Sequence, residues 1–219
     1  MSFSEQGFAL FPAVLTPAAC TATAAEISLS DPARGGTRCL LAQSWCATLA
    51  ASLGAHPALA ELLGTSVAVQ CNYFEKSAGR NWLVPIHQDL SIPVAERVEA
   101  PELRGWSEKE GGLFVQAPRT VLEQMVAVRV HLDDCAEQDG PLRVVPGSHL
   151  GGLMGSADAI AAREARGEVS CTAKAGDVLV LRPLLLHASS KGSGNSRRRV
   201  LHFVFGPPAL PHGLQWAPS

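Results

Sequence analysis

Ser66-Val67-Ala68-Val69-Gln70-Cys71-Asn72-Tyr73-Phe74 is where this chain changes period. The run alternates and is rich in β-formers, so it predicts a strand. Upstream the pattern is different. Gly7 to Phe11 predicts a short strand closed by Pro12, and Thr16 is placed to cap a helix that starts at Pro17. That helix is expected to run to about Leu29 and to end in the Ser30-Asp31-Pro32 turn. Two more helices are predicted over Ser44 to Gly54 and Pro57 to Leu63, the second stopped by Gly64. Downstream, strands are expected over Trp82 to Ile92, Met125 to Leu132, Arg143 to Val145, Val169 to Thr172, Asp177 to Leu181 and Arg199 to Phe205, with one helix at Asp158 to Arg166. Residues Pro93 to Leu122 show little periodicity and read as an irregular lid or binding loop.

Short strands spaced by Gly/Pro turns, after a helical prelude, predict a mainly β protein with flanking α-helices. Its core is expected to be a barrel or double-sheet roll with the helices packed outside. One domain over residues 1–219 is the economical division: a helical part at 1–65 and a β core at 66–206 that carries the lid at 93–122. The 219 residues, 47% hydrophobic, suffice for a substantial core, and a net charge of -2 gives no sign of nucleic acid or an anionic membrane as partner. The basic run Arg197-Arg198-Arg199 leads into the apolar alternation Val200 to Phe205 and reads as the start of a strand. Six scattered cysteines without Cys-x-x-Cys pairs, and an N-terminus without a signal-like apolar run, fit reduced thiols in the cytoplasm. No stretch approaches the roughly 18 apolar residues of a membrane span. A monomer or weak homo-oligomer acting on a small molecule is expected.

Chemistry concentrates at His87-Gln88-Asp89. On a strand, residues two apart share a face, so His87 and Asp89 would present an imidazole and a carboxylate to one ion while Gln88 points away. His187, after the apolar run Leu184 to Leu186, would add a second imidazole. Two nitrogens and one oxygen on one side of a metal form the facial triad of non-haem Fe(II) oxygenases. A buried histidine satisfied by the protein would explain either imidazole alone. It explains less well a carboxylate on the same face, which is costly to bury unpaired. His56, His149 and His212 read as surface or turn histidines.

Several segments together carry a resemblance. Gly7 to Pro17, Pro85-Ile-His-Gln-Asp-Leu90, Gly140-Pro-Leu-Arg-Val-Val-Pro-Gly-Ser-His149, Gly176-Asp177, His187-Ala-Ser189 and the three arginines resemble the phytanoyl-CoA dioxygenase family of Fe(II)- and 2-oxoglutarate-dependent oxygenases. The resemblance covers nearly the whole chain and implies a double-stranded β-helix, a jelly roll of the cupin type. It implies His87, Asp89 and His187 as the iron ligands. It also implies Arg198, eleven residues after His187, as the anchor of the cosubstrate's distal carboxylate. A guanidinium fork suits that group. Arg197 and Arg199 flank it, and strand parity separates them from Arg198, Val200, His202 and Val204.

Ser189 matches a family hydroxyl beside the cosubstrate, and Tyr73 and Lys76 are further candidates to reach it. Arg129 stands where related proteins tend to carry an aromatic. With His131 it is expected to face the cavity, contacting an anionic group of substrate or cosubstrate, or else pairing with Glu108 or Glu110. Specificity is expected from the 93–122 segment, through Arg97, Arg104, Trp106 and Arg119. The implied activity consumes 2-oxoglutarate and O2, releases succinate and CO2, and hydroxylates a small or medium-sized organic substrate. Asp89 is the carboxylate that halogenating relatives lack. The alternative is a cupin-like metal protein without 2-oxoglutarate, either another enzyme or a non-catalytic ligand-binding domain.

Overall fold

The computed structural model describes residues 2–28, 36–193 and 196–218. In chain order its helices are α1 (Phe3–Gln6), α2 (Pro17–Glu26), α3 (Ser44–Ala55), α4 (Pro57–Leu63), α5 (Arg119–Leu122) and α6 (Ser156–Arg166). The strands are β1 (Phe8–Phe11), β2 (Gly36–Thr37), β3 (Val67–Lys76), β4 (Val84–His87), β5 (Ser91–Val94), β6 (Arg104–Lys109) and β7 (Gly112–Gln116). They continue with β8 (Val126–His131), β9 (Leu142–Val144), β10 (Val169–Cys171), β11 (Val178–Leu181), β12 (His187–Ser189) and β13 (Arg198–Gly206).

A six-stranded antiparallel sheet, in the order β1-β11-β8-β13-β3-β2, faces a four-stranded sheet, β10-β9-β12-β4. The smaller sheet β5-β7-β6 borders the space between them. This is a jelly roll with helices outside, as the sequence predicts. Alternation along the large sheet divides its residues cleanly. Val128, Val130, Val178, Val180, Leu201 and Phe203 are fully buried on the face covered by α2, α3 and α4. The opposite face presents Gln70, Asn72, Phe74, Lys76, Arg129, Arg198 and His202 to a cavity.

Local chemistry explains the helix starts. Thr16 Oγ1 accepts from the Ala19 amide at 3.2 Å, with Pro17 at the first helical position. His56 caps α4 in the same way, its Nδ1 accepting from the Ala58 amide at 3.3 Å. The helix from Pro17 ends at Glu26, and the expected Ser30-Asp31-Pro32 turn lies outside the described residues. Among the described residues no single helix is long and apolar enough to cross a membrane. The bent pair α3–α4 meets that criterion only when taken together, and it buries Cys46, Ala50, Leu53, Leu59 and Leu63 in the core.

Two expectations change. The predicted single strand Trp82 to Ile92 is two strands, β4 and β5, broken at 88–90. The supposedly irregular segment 93–122 is mostly ordered: the β6–β7 hairpin pairs with β5 and is followed by α5. Its strand character was hidden because Arg104-Gly-Trp-Ser-Glu-Lys109 is polar and because Gly105 sits at a bulge with φ +62°. A Cβ there would stand 2.7 Å from the Gln116 side chain, so only glycine fits. The hairpin tip is clasped to β2, an edge strand of the large sheet. Glu110 accepts from Thr37 Oγ1 at 2.9 Å, from the Arg38 amide at 2.8 Å and from Arg38 Nη1 at 3.0 Å.

Phe203→Ala is expected to cost about 3–5 kcal/mol in urea unfolding, because it opens a cavity in the packed face of the large sheet. Leu83→Ala, at a side chain 58% exposed, should stay within about 0.5 kcal/mol.

Candidate metal centre

β4 and β12 pair antiparallel so that His87 and His187 are direct partners, with ring centroids 4.2 Å apart. Each imidazole is oriented by its own strand. His87 Nδ1 lies 2.8 Å from the Pro85 carbonyl and His187 Nδ1 2.8 Å from the Leu185 carbonyl. A carbonyl only accepts, so both Nδ1 atoms carry the proton and both Nε2 lone pairs face the cavity, the arrangement that metal-binding histidines use. Asp89 meets them from the side. Its Oδ1 is 3.7 Å from His87 Nε2 and its Oδ2 3.6 Å from His187 Nε2. The three ligand atoms lie within 4.8 Å of one another.

Asp89 arrives there by a loop rather than by strand parity, since β4 ends at His87. Gln88 makes that loop rigid. Its amide donates to the Gly152 and Leu184 carbonyls at 2.8 and 2.7 Å, and its oxygen accepts from the Met154 amide at 2.9 Å. The Asp89 amide donates to the Pro183 carbonyl at 3.0 Å. Gln88 therefore points away from the two imidazoles, but it anchors Asp89 beside it. On the other strand, Ser148 Oγ accepts from the Leu186 amide at 2.8 Å, which ties the Pro-Gly-Ser-His turn to the strand that bears His187.

Electrostatics favour the ligating forms. Burial alone would raise the Asp89 pKa, but His187, His202 and His87 outweigh it and hold the carboxyl below its usual range. Burial lowers the His187 pKa against the pull of Asp89, so its imidazole is neutral at pH 7. Two imidazoles oriented by backbone carbonyls and an ionised carboxylate fit a divalent transition metal with open positions on the cavity side.

A second pole lies in the same cavity of about 500 Å³. Arg198 and Lys76 are partners across β13 and β3. Lys76 Nζ donates to Ser189 Oγ at 2.9 Å and to the Ser190 carbonyl at 2.6 Å. Arg198 Nη1 donates to the Gly140 carbonyl at 2.6 Å, while its buried Nε has no partner. Burial, then the charges of Arg198 and Arg129, bring Lys76 down to about 8. Arg197 instead pairs with Glu75 and Arg199 with Asp133, both on the other side of the strand. Of the three arginines, only Arg198 enters the cavity.

The phytanoyl-CoA dioxygenase (PhyH) family model matches residues 3–200. The chain belongs to that family. HygX from Streptomyces hygroscopicus, with nickel and 2-oxoglutarate bound, is similar in structure: TM-score 0.64, 18% identity, covering 94% of this chain and 84% of HygX. AviO1 from Streptomyces viridochromogenes Tue57 has TM-score 0.64 and 23% identity, covering 95% and 93%. SnoN, a non-haem α-ketoglutarate-dependent epimerase of nogalamycin biosynthesis, has TM-score 0.66 and 19% identity, covering 99% and 80%. No curated protein matches the chain.

Several expected site residues lie elsewhere. Tyr73 falls on the opposite face of β3 from Lys76, in the main core, where its hydroxyl donates to Glu75 at 2.7 Å. Strand parity separates it from the cavity. His131 is buried among Arg129 and Arg198, which with burial bring it down to about 3, but it does not line the cavity. Trp106 stacks on Arg97, 5.3 Å from guanidinium to ring, outside the cavity. Arg97 and Arg119 pair with Glu99 and Glu123, and Arg104 is exposed. The 93–122 segment lines the cavity through Lys109, Phe114, Gln116 and Leu122 instead.

Arg129 does line the cavity, and Glu110 is engaged with Arg38 rather than with it. The residue that sequence reading passed over is His202, buried against Asp89 with Nε2 3.8 Å from Oδ2. Its parity with Arg198 was the available signal.

Asp89→Ala is expected to remove nickel binding in calorimetric titration, an effect beyond the roughly 10- to 100-fold that loss of an outer partner costs. Nickel at about 100 times its Kd should stabilise the native protein by about 2.7 kcal/mol. That shift in Tm should vanish with a chelator and in the variant.

Proposed function

We propose that this protein is an Fe(II)- and 2-oxoglutarate-dependent oxygenase that hydroxylates a small or medium-sized organic substrate. The observation that carries the reading is the coexistence of two poles in one cavity: the His87–Asp89–His187 cluster, and the inward Arg198–Lys76–Ser189 group. The first suits iron. The second suits the distal carboxylate of a dianion, through a guanidinium, an ammonium and a hydroxyl. HygX, which shares the fold, binds nickel and 2-oxoglutarate, and this supports the same pairing here. A metal protein without 2-oxoglutarate would leave two buried cations, Arg198 and Lys76, without a counter-ion.

Iron, 2-oxoglutarate and O2 together supply the oxidation, yielding succinate, CO2 and one oxygen atom for the substrate. The chain's own part is positional. His87 and His187 are locked into one tautomer by the Pro85 and Leu185 carbonyls, and Asp89 is held by the loop that Gln88 pins. The apolar wall of Leu90, Ile92, Phe114, Leu122 and Met125 excludes water and shapes the substrate end. Lys109 on the hairpin adds a cation at that end, so an anionic group on the substrate fits the reading. The Glu110 clasp closes the hairpin over it. SnoN is an epimerase, so a related fold serves other reactions; hydroxylation is proposed here over halogenation because Asp89 retains the carboxylate.

Iron-loaded protein in air should convert 2-oxoglutarate to equimolar succinate and CO2. Absence of 2-oxoglutarate binding and of turnover, with or without candidate substrates, would overturn the reading. Arg198→Lys, which loses the planar fork, should raise the KM for 2-oxoglutarate by about 10- to 100-fold.

Cosubstrate binding should also weaken as pH rises through about 8, where Lys76 loses its proton. The anion favours the charged ammonium, so binding should draw in a proton just above that pH. Lys76→Met should flatten the profile, as measured by titration in buffers of different ionisation heat.

A further inference from the structure

Arg129 is 7% exposed, and its environment is not one that satisfies a buried cation. Its Nη1 donates to His202 Nδ1 at 2.9 Å, its guanidinium lies 5.7 Å from the Phe74 ring centroid, and its buried Nε has no partner. Burial and the nearby charge of Arg198 bring it down to about 10, and Asp89 pulls it back only in part. Asp89 is the one carboxylate among the described residues that line the cavity, and the metal would take it. A guanidinium enclosed in this way calls for an anion that the protein does not supply.

Position indicates which anion. Arg129 pairs in register with His202, whose other nitrogen is 3.8 Å from Asp89 Oδ2. One side chain therefore separates Arg129 from the metal cluster. Towards the opposite end, the charges of both Arg129 and Arg198 act on Lys76. Arg129 thus stands beside the metal cluster, on the same cavity-facing side of the large sheet as the pole that would take the distal carboxylate. The substrate end, at Lys109 and Phe114, belongs to the hairpin instead.

We propose that Arg129 is a second anion anchor of the cosubstrate site, receiving the carboxylate adjacent to the 2-oxo group, so that a 2-oxo diacid is gripped at both ends. The proposal rests on the 2-oxoglutarate reading above and assigns one of its carboxylates to a residue that reading leaves unused.

Ligand truncation separates the two ends. Nickel-loaded protein is titrated by calorimetry with 2-oxoglutarate and with 2-oxovalerate, which has the same carbon chain but no distal carboxylate. Arg129→Gln should weaken both ligands by a similar factor, about 10- to 100-fold for a charge-assisted contact. Arg198→Gln should weaken 2-oxoglutarate alone. Arg129→Lys, which keeps the charge, should recover part of the loss and serves if the glutamine variant does not fold. Nickel affinity without any 2-oxo acid reports that the metal cluster is intact. Wild-type affinity for both acids in the Arg129 variants would overturn the proposal, as would a loss confined to 2-oxoglutarate, which would assign Arg129 to the distal carboxylate. Wild-type protein that binds nickel but neither acid would overturn the cosubstrate reading itself, and this assignment with it.

Discussion

The hydrogen-bonding of β13 on both edges, to β3 and to β8, is the constraint on which the rest of the molecule depends. A strand paired on both sides cannot rotate, and its side chains must alternate between two faces. Leu201, Phe203 and Phe205 therefore enter the core under the helices, while Arg198 and His202 are driven into the cavity. Neighbouring strands follow the same rule, so Lys76 arrives beside Arg198 and Arg129 beside His202 without any local preference for burial. The apolar face carries the stability that holds the polar face in place. Burying several cations in one cavity is unfavourable by itself, and a well-packed sheet is what sustains it.

The His87–Asp89–His187 cluster uses a different device. His87 and His187 meet because β4 and β12 are paired, but each ring is turned by a backbone carbonyl two residues before it. Orientation is thus local while approach is tertiary. Asp89 depends on neither strand. It is delivered by a loop that Gln88 pins to segments as distant as Gly152 and Leu184. The cluster is rigid because three independent anchors converge on it, not because any one bond is strong.

Much of this was legible beforehand, for physical reasons that can be named. The change of period at Ser66, the cap at Thr16 and the helix start at Pro57 all express local chemistry. The choice of Arg198 over its two neighbours came from the family resemblance, with parity setting it apart from them; in the structure Glu75 and Asp133 take the other two. The β6–β7 hairpin was not legible, since its strands are polar and are held by cross-strand pairing around Gly105 rather than by an apolar stripe. Tyr73 was misplaced by treating proximity in sequence to Lys76 as proximity in space, when the pleat sends it to the opposite face. His202 was passed over although it shares the parity of Arg198, because an isolated histidine in an apolar strand carries no motif.

By itself, the sequence determined the periodicities, the cap at Thr16, the closeness of His87 to Asp89 and the parity that groups Arg198 with His202 on β13. Those properties depend on residues a few positions apart, whose geometry the backbone dictates. Only the tertiary structure decided that Asp89 reaches the imidazoles by a pinned loop, that the hairpin rather than the arginines of 93–122 lines the cavity, and that Arg129 lies one histidine from Asp89. Each depends on contacts between residues tens of positions apart in the chain, and such distances are set by packing and pairing, not by local spacing.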